Sequence, residues 1–441
     1  METICGPISF VASPSSWIPQ ERSLLADVIG QGQEAGEKAA CRVARIIEEE
    51  HIARCWPRFT DRGSERTLME TFGVGRAVVR EAARILQVRG TARMFRGPSG
   101  GLRLLPVDPA HTADFVVGYC VFLGVEARHL TEAEQVLSEV RAGLRQARLR
   151  SGEHQMAFER QESTALGFFD RIIGGIRAAL AENHSPAHRP AILLARDLLK
   201  RCRAGEIVLR MLHECSAEQW LQGHHLGSEE DLCFRYGVDR DAFRQAVRIL
   251  ESAGAAESIC GRGHGLVSRA PRRGSVSRLI SCLFASSGLE PAEVMDLFQR
   301  LSIHTLALAA ECATPSDCDD VEAAFIQLAR ANAAGDKEAV LSAVFQVEDR
   351  LLAVSRNPLI HLFTQSTRGY PSAQIPRQAG ILGRLNQEFL PLTGPILEAF
   401  RNNSGQDAAA CQSRKIQALT AISRSSSWHA DLGVSEEFFR A

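Results

Sequence analysis

Residues 64–103 read SERTLMETFGVGRAVVREAARILQVRGTARMFRGPSGGLR. Ser64 is suited to cap a helix, because its hydroxyl accepts an orphan amide proton of the first turn. Leu68 and Met69 open an apolar face, and Phe72-Gly73-Val74-Gly75 ends it, glycine being free to turn left-handed. A second helix starts at Arg76, with Val78, Val79, Ala82, Ala83 and Leu86 as its buried stripe. Arg76, Arg80 and Arg84 recur every four residues and are expected on one exposed stripe. Two short strands, 91–95 and 102–105, then flank a tip built on Gly97, Gly100 and Gly101. A Gly-rich tip alone is a turn. Directly after such a helix it reads as a wing, whose backbone amides approach a phosphate closely.

The pattern occurs twice. A shift of 164 residues lands on SEEDLCFRYGVDRDAFRQAVRILESAGAAESICGRGHGLV, residues 228–267, without a gap. Ser64, Glu65, Leu68, Gly73, Val74, Arg76, Arg80, Ala82, Arg84, Ile85, Leu86, Gly90, Gly97, Gly101 and Leu102 all meet identical residues. The same shift carries the stripe Ala40, Val43, Ala44 and Ile47 onto Ala204, Ile207, Val208 and Met211. A period this long excludes a solenoid and marks two copies of one module.

The run SER-x-L-x-x-x-FGV-x-R-x-x-VREA-x-R-x-L-x-x-x-G with its Gly-rich tip resembles the winged helix-turn-helix of GntR-type transcription regulators. The helical sequence around it is similar to the FadR-like (FCD) subgroup, in which that head precedes an all-helical effector domain. The resemblance implies a mainly α fold with two winged heads, each followed by helices, the first helical part abridged. It implies the following division: a flexible arm over 1–30, head one over 31–108, an abridged helical domain over 109–200, head two over 201–272 and an FCD-like helical domain over 273–436. It further implies a sequence-specific partner, double-stranded DNA. Arg76 and Arg80 are expected on bases or nearby phosphates, Arg66 and Arg96 on the backbone, and Gly97, Gly100 and Gly101 where the wing comes close. Arg240 and Arg244 are the counterparts in head two. Such regulators dimerise so that two heads meet two half-sites. This chain is expected to form a homodimer or to imitate one within itself.

Composition agrees with a folded intracellular protein. At 441 residues, 45% hydrophobic and 23% charged, the chain has length for several domains. A formal net charge of −1 leaves no global field for DNA, so any basic surface must be local. Twelve scattered cysteines form no Cys-x-x-Cys pair or zinc-finger spacing, and METICGPISFVASPSS lacks the features of a signal peptide. Reduced thiols and a cytoplasmic location are expected. The longest apolar run, 115–125, is too short to span a membrane.

Outside the heads the chain reads as helix. Helices are expected over 131–150 and 168–180, and in the tail over 276–284, 291–311, 317–334, 337–354, 378–389, 395–401 and 408–422. His304 and His361 are expected near the helical core, and His224-His225 in a loop.

FadR-like tails commonly hold a divalent metal with one Asp and three His, two of them four apart on a helix. Aligned through Ser355-Arg356-Asn357-Pro358-Leu359, those two positions are Val344 and Glu348, and the others fall near Thr393 and Ala418. The set is absent, so no metal cofactor is expected. The resemblance implies a cavity for a small carboxylate or acyl effector, with lining residues that the sequence does not name. The chain carries no set of nucleophile, base and orienter, so it does not read as an enzyme.

The heads differ in charge. Residues 64–103 hold eight arginines against three acids, whereas 228–267 hold five arginines against seven acids. Phosphate neutralisation supplies most non-specific affinity, so head one is expected to bind DNA more strongly. Arg66 is replaced by Glu230, and Gly75 and Ala77 by Asp239 and Asp241. Asp239 suits a helix cap, and both aspartates are expected to draw Arg244 away from DNA. A degenerate second head serving protein contacts is the alternative.

Overall fold

Within the expected arm, residues 24–29 hold one helical turn, α1 (Leu25–Val28). Leu24, Leu25, Val28 and Ile29 are buried, and the Leu24 amide donates to the Ile375 carbonyl at 3.1 Å. The structure, a computed structural model, describes residues 24–29, 37–57, 60–97, 100–151, 161–181, 202–259, 265–375 and 381–424. The remainder of the expected arm, 182–200, the second wing tip and residues 425–436 lie outside the described residues.

The first repeat begins with α2 (Ala39–Ala53), which buries Ala40, Val43, Ala44 and Ile47 as its spacing requires. α3 (Glu65–Phe72) is capped by Ser64, which accepts the Thr67 amide, and ends on Gly73 at φ 63°. α4 (Arg76–Arg89) follows after two residues and buries Val79, Ala82, Ala83, Ile85 and Leu86. β1 (Ala92–Met94) and β2 (Leu102–Leu104) pair antiparallel, and Asp61 bridges to Arg103 beside them. Helices α5 (Pro109–Phe122), α6 (Ala127–Ser151) and α7 (Gly167–Ala181) complete this part.

The second repeat consists of α8 (Arg203–Glu214), α9 (Ala217–Leu221), β3 (His225–Gly227), α10 (Glu229–Tyr236), α11 (Arg240–Ser252), β4 (Ala256–Ser258) and β5 (Leu266–Ser268). Its sheet has the order β3-β5-β4, and His225 therefore stands in a strand rather than a loop. The repeat continues past the heads. α12 (Arg273–Ser286) matches α5 end for end at the same 164-residue shift, and α13 (Pro291–Cys312) starts where α6 predicts. Strands among the described residues are confined to these two small sheets, and the fold is mainly α.

The tail adds α14 (Pro315–Ala334), α15 (Lys337–Ala353), α16 (Pro358–Ser372), α17 (Ile381–Arg401) and α18 (Gly405–Arg424). Two differences appear here. α16 is an additional helix, buried on nearly every side. Its hydroxyls are satisfied internally: Thr364 donates to Ile360, Ser366 to Leu362 and Thr367 to Phe363. Also, the two helices expected over 378–389 and 395–401 are one. α17 runs through Pro391 and Pro395, packed on α14 and α18. The abridged helices join the tail rather than standing apart: Phe169 of α7 stacks on Phe363 of α16 at 4.0 Å, and Phe168 and Phe169 meet Phe284 of α12 edge-on.

One buried carboxylate ties head one to the tail. Glu48 of α2 accepts from Arg89 Nε at 2.8 Å, from Arg278 Nε of α12 at 3.0 Å and from Thr91 Oγ1 at 3.0 Å. Arg89 also donates to the Ser275 carbonyl. Burial pushes the Glu48 carboxyl up, but Arg89 and Arg278 outweigh it and hold it below its usual range. Its contribution to stability is therefore complete above the unfolded-state carboxylate range and lost as pH falls through the lowered folded value. Glu48→Ala takes the shared carboxylate from two buried guanidinium groups and should cost about 3–5 kcal/mol in denaturant unfolding at neutral pH. An unchanged unfolding midpoint would contradict this reading of the cluster.

Candidate nucleic-acid interface

Arg76 and Arg80 stand at the exposed N-terminal end of α4, and one acid on the preceding helix holds both. Glu65 lies 3.6 Å from Arg76 Nε and 3.0 Å from Arg80 Nε. The second repeat reproduces the arrangement, with Glu229 at 4.0 Å from Arg240 Nε and 3.1 Å from Arg244 Nη2. All four arginine side chains remain about half exposed or more, so each pair is oriented without being buried. The sequence reading missed these acids, although an acid identical in both repeats beside two repeated arginines carried the signal. Around Arg244 the charge of Asp241 acts as expected, but the direct partner is Glu229. Asp239 is taken up as the cap of α11, accepting the Ala242 amide at 2.8 Å, and Glu229 holds the guanidinium. That backbone hydrogen bond keeps the Asp239 carboxyl below its usual range.

The heads differ around this shared core. Arg66 projects from α3 with its side chain 87% exposed, paired to Glu70 at 2.9 Å. Its counterpart is Glu230, and the counterpart of Glu70 is Phe234, which is 91% exposed. In the first wing Arg93 and Arg103 lie over the Phe95 ring, at 5.8 and 5.1 Å from its centroid, and Arg96 is exposed next to them. Arg93 and Arg103 become Glu257 and Val267 in the second repeat.

The wing glycines divide. Gly97 adopts φ +113°, and the Gly100 amide closes the turn on its carbonyl at 2.8 Å. A Cβ on Gly100 would meet the Phe95 carbonyl oxygen at 2.5 Å. Gly101 is buried, and a Cβ there would lie 2.6 Å from the Gly63 carbonyl oxygen. Gly265 faces Gly227 in the same way. Contact between wing and chain is thus enough to require glycine at this position.

Arg84 does not share the open stripe. Its Nε donates to Gln245 Oε1 of α11 at 3.3 Å, and Arg248, its own counterpart, donates through Nε to Glu81 Oε2 of α4 at 3.1 Å. Since Gln245 is the counterpart of Glu81, the two contacts are one contact made twice. Such reciprocity is the mark of a two-fold interface. α4 and α11 meet at their middles, and each leading arginine stands about 10 Å along its own helix from that contact. The charge excess counted for residues 64–103 is reduced accordingly. Arg89 is buried against Glu48, and Arg84 faces the other repeat.

The family metal set does not form in the tail. Val344 is apolar and buried, Thr393 Oγ1 donates to the Phe389 carbonyl, and Glu348 is paired with Lys415 Nζ at 3.1 Å and with Arg368. These donors do not fit a divalent cation, because a side-chain ammonium already neutralises the one carboxylate among them. The described residues contain no cluster of three or more His, Cys, Asp and Glu side chains suited to a metal. His304 bridges to Glu139 of α6 at 2.6 Å. His361 is buried between Asp349 and Arg273, at 2.8 and 2.9 Å. No helix among the described residues is long and apolar enough to cross a membrane.

Residues 293–418 match the FCD domain. Solved structures similar to the chain include Streptococcus agalactiae GntR, 19% identical, with a TM-score of 0.37 over 51% of this chain and 100% of that one. E. coli McbR/YncC is 17% identical, with a TM-score of 0.26 over 50% of this chain and 96% of that one. No curated protein matches the sequence.

The crossing of α4 and α11 should be measurable as coupling. In a double-mutant cycle of Glu81→Ala and Arg248→Ala, followed by denaturant unfolding, the pair should show an interaction energy of at least about 0.5 kcal/mol. Arg248→Ala alone should cost more than Glu81→Ala, because Arg248 is also held by Glu251. Strict additivity would mean that the repeats do not meet there.

Proposed function

We propose that this chain, whose tail carries an FCD domain, is a GntR-type, FadR-like transcription regulator that binds double-stranded DNA through two winged helix-turn-helix heads. One chain takes the place of a dimer. The observation that carries this reading is the reciprocal contact of Arg84 with Gln245 and of Arg248 with Glu81. It supports two arginine-tipped helices related by a pseudo-two-fold axis, the symmetry that a pseudo-palindromic site presents. Arg76, Arg80, Arg240 and Arg244 then reach bases or phosphates, and Arg66 and Arg96 hold the backbone of the first half-site. Gly97 and Gly100 shape the wing tip. The division into arm, two heads, an abridged helical part and an FCD-like tail belongs to the same proposal, as does the absence of catalysis.

The tail would sense a small effector, and a continuous set of contacts supports a route from it to head one. On α16, Arg368 lines a cavity, whereas Gln365 and His361 accept from Arg273 of α12. α12 in turn carries Arg278 onto Glu48.

A second reading keeps DNA for head one and gives head two to a protein partner. Phe234, exposed one helical turn after Glu230, favours it. Mobility shifts on a selected operator at several salt concentrations separate the two. Arg80→Ala should cost about 1–3 kcal/mol, the range of a good base contact. Arg244→Ala should cost a measurable but smaller amount, because Glu230, Asp231 and Asp241 oppose phosphate around it. Each loss should lower the salt slope if the arginine touches phosphate. No loss at all from Arg244→Ala would favour the protein-contact reading, and failure of the wild type to shift any duplex would overturn regulation by DNA binding.

A further inference from the structure

α1 precedes head one in the chain but lies on the tail, packed on α15 and α16. A single helical turn has no stability of its own, because the cost of nucleation is not yet recovered. α1 is therefore held by what it rests on. Leu24, Leu25, Val28 and Ile29 are all buried. The floor beneath them is Gly369 of α16: a Cβ there would stand 3.1 Å from Ile29 Cγ2 and 3.3 Å from Leu25 Cδ1, so the missing side chain makes the room. Hydrogen bonds tie both ends. The Leu24 amide donates to the Ile375 carbonyl at 3.1 Å, and Gln365 Nε2 donates to the Val28 carbonyl at 3.4 Å. Gln365 Oε1 meanwhile accepts from Arg273 Nε and Ser277 Oγ of α12.

The same segment also closes a cavity. The tail contains about 220 Å³ of space between α13, α15, α16, α17 and α18. Among the described residues that line it, Leu24 alone comes from outside the tail; Leu25 does not line it. Ser372 and Ile375, at the end of α16, belong to the wall as well. Between them Gln374 donates through Nε2 to the Ile52 carbonyl of α2 at 3.0 Å. Cavity, α1 and head one therefore meet on residues 365–375. We infer that residues 24–29 are a strap laid from head one across the tail, and that docking of the strap and occupancy of the cavity reinforce each other. The inference rests on the tail being the effector domain and adds a way for head one to read it, apart from α12 and Glu48. An occupant gains the Leu24 wall only while the strap is docked. By linkage, the factor by which the strap strengthens binding is the factor by which an occupant holds the strap down.

This coupling does not depend on the charge of the occupant, so an apolar probe tests it. On the same volume measure a cavity of about 150 Å³ holds benzene, and toluene therefore fits. Calorimetric titration of the full chain with toluene is combined with amide hydrogen exchange. Toluene should bind the wild type. Leu25→Asp puts a charge on the Gly369 floor and undocks the strap without changing a lining residue. It should weaken toluene at least about fivefold, the low end of usual couplings. Saturating toluene should slow exchange of the Val28 and Ile29 amides in the wild type by the same factor, since these amides close the turn onto the Leu24 and Leu25 carbonyls. Exchange that toluene leaves unchanged, or unaltered toluene binding by a folded Leu25→Asp chain, would make α1 a fixed part of the core and overturn the proposal. A wild-type chain that takes up no toluene overturns it too. If Leu25→Asp fails to fold by circular dichroism, the exchange comparison in the wild type decides alone. Slowed exchange in a chain that shifts no duplex would support the strap and overturn the regulator.

Discussion

Glu48 is the constraint around which the upper part of the molecule is arranged. Its carboxylate is shut away from water and shared between Arg89 of its own head and Arg278 of the tail's first helix. None of the three charges is tolerable alone at that depth, so the head cannot turn on the tail without exposing or stranding them. The second repeat lacks the device. The counterparts of Glu48 and Arg89 are Leu212 and Ala253. Head two is placed instead by α11 crossing α4 and by the chain running straight into α12. One ionic anchor and one reciprocal helix crossing therefore hold two heads in one arrangement.

Much of that arrangement was legible. Ser64, Gly73 and Arg76 mark a helix end, a left-handed turn and a helix start, and their counterparts repeat all three at one spacing. Arg89 was counted as surface charge although it falls three residues after Leu86 and seven after Ala82, on the apolar stripe. Periodicity thus held the correction. α16 is obscured by its serines and threonines, poor helix formers on the surface, whose hydroxyls here close on carbonyls one turn back.

The site was legible as residue types and less so as relations. The arginines that lead α4 and α11 lie where the repeat puts them, but the acid between each pair comes from the neighbouring helix. Arg84 changed role because a single module cannot reveal what a second copy covers. In the tail the ion pairs of Glu348 were invisible, since Lys415 and Arg368 approach it from two other helices. Distant charges that meet only through packing leave no spacing in the sequence.

The central claim is that one chain presents both heads to one DNA site. Hydroxyl-radical footprinting of an equimolar complex of chain and selected operator tests it most directly. The account predicts protection on both halves of a pseudo-palindrome, with the half contacted by head one protected more strongly. Protection of a single half-site at equimolar chain, with the second half covered only when a second chain is added, would contradict it.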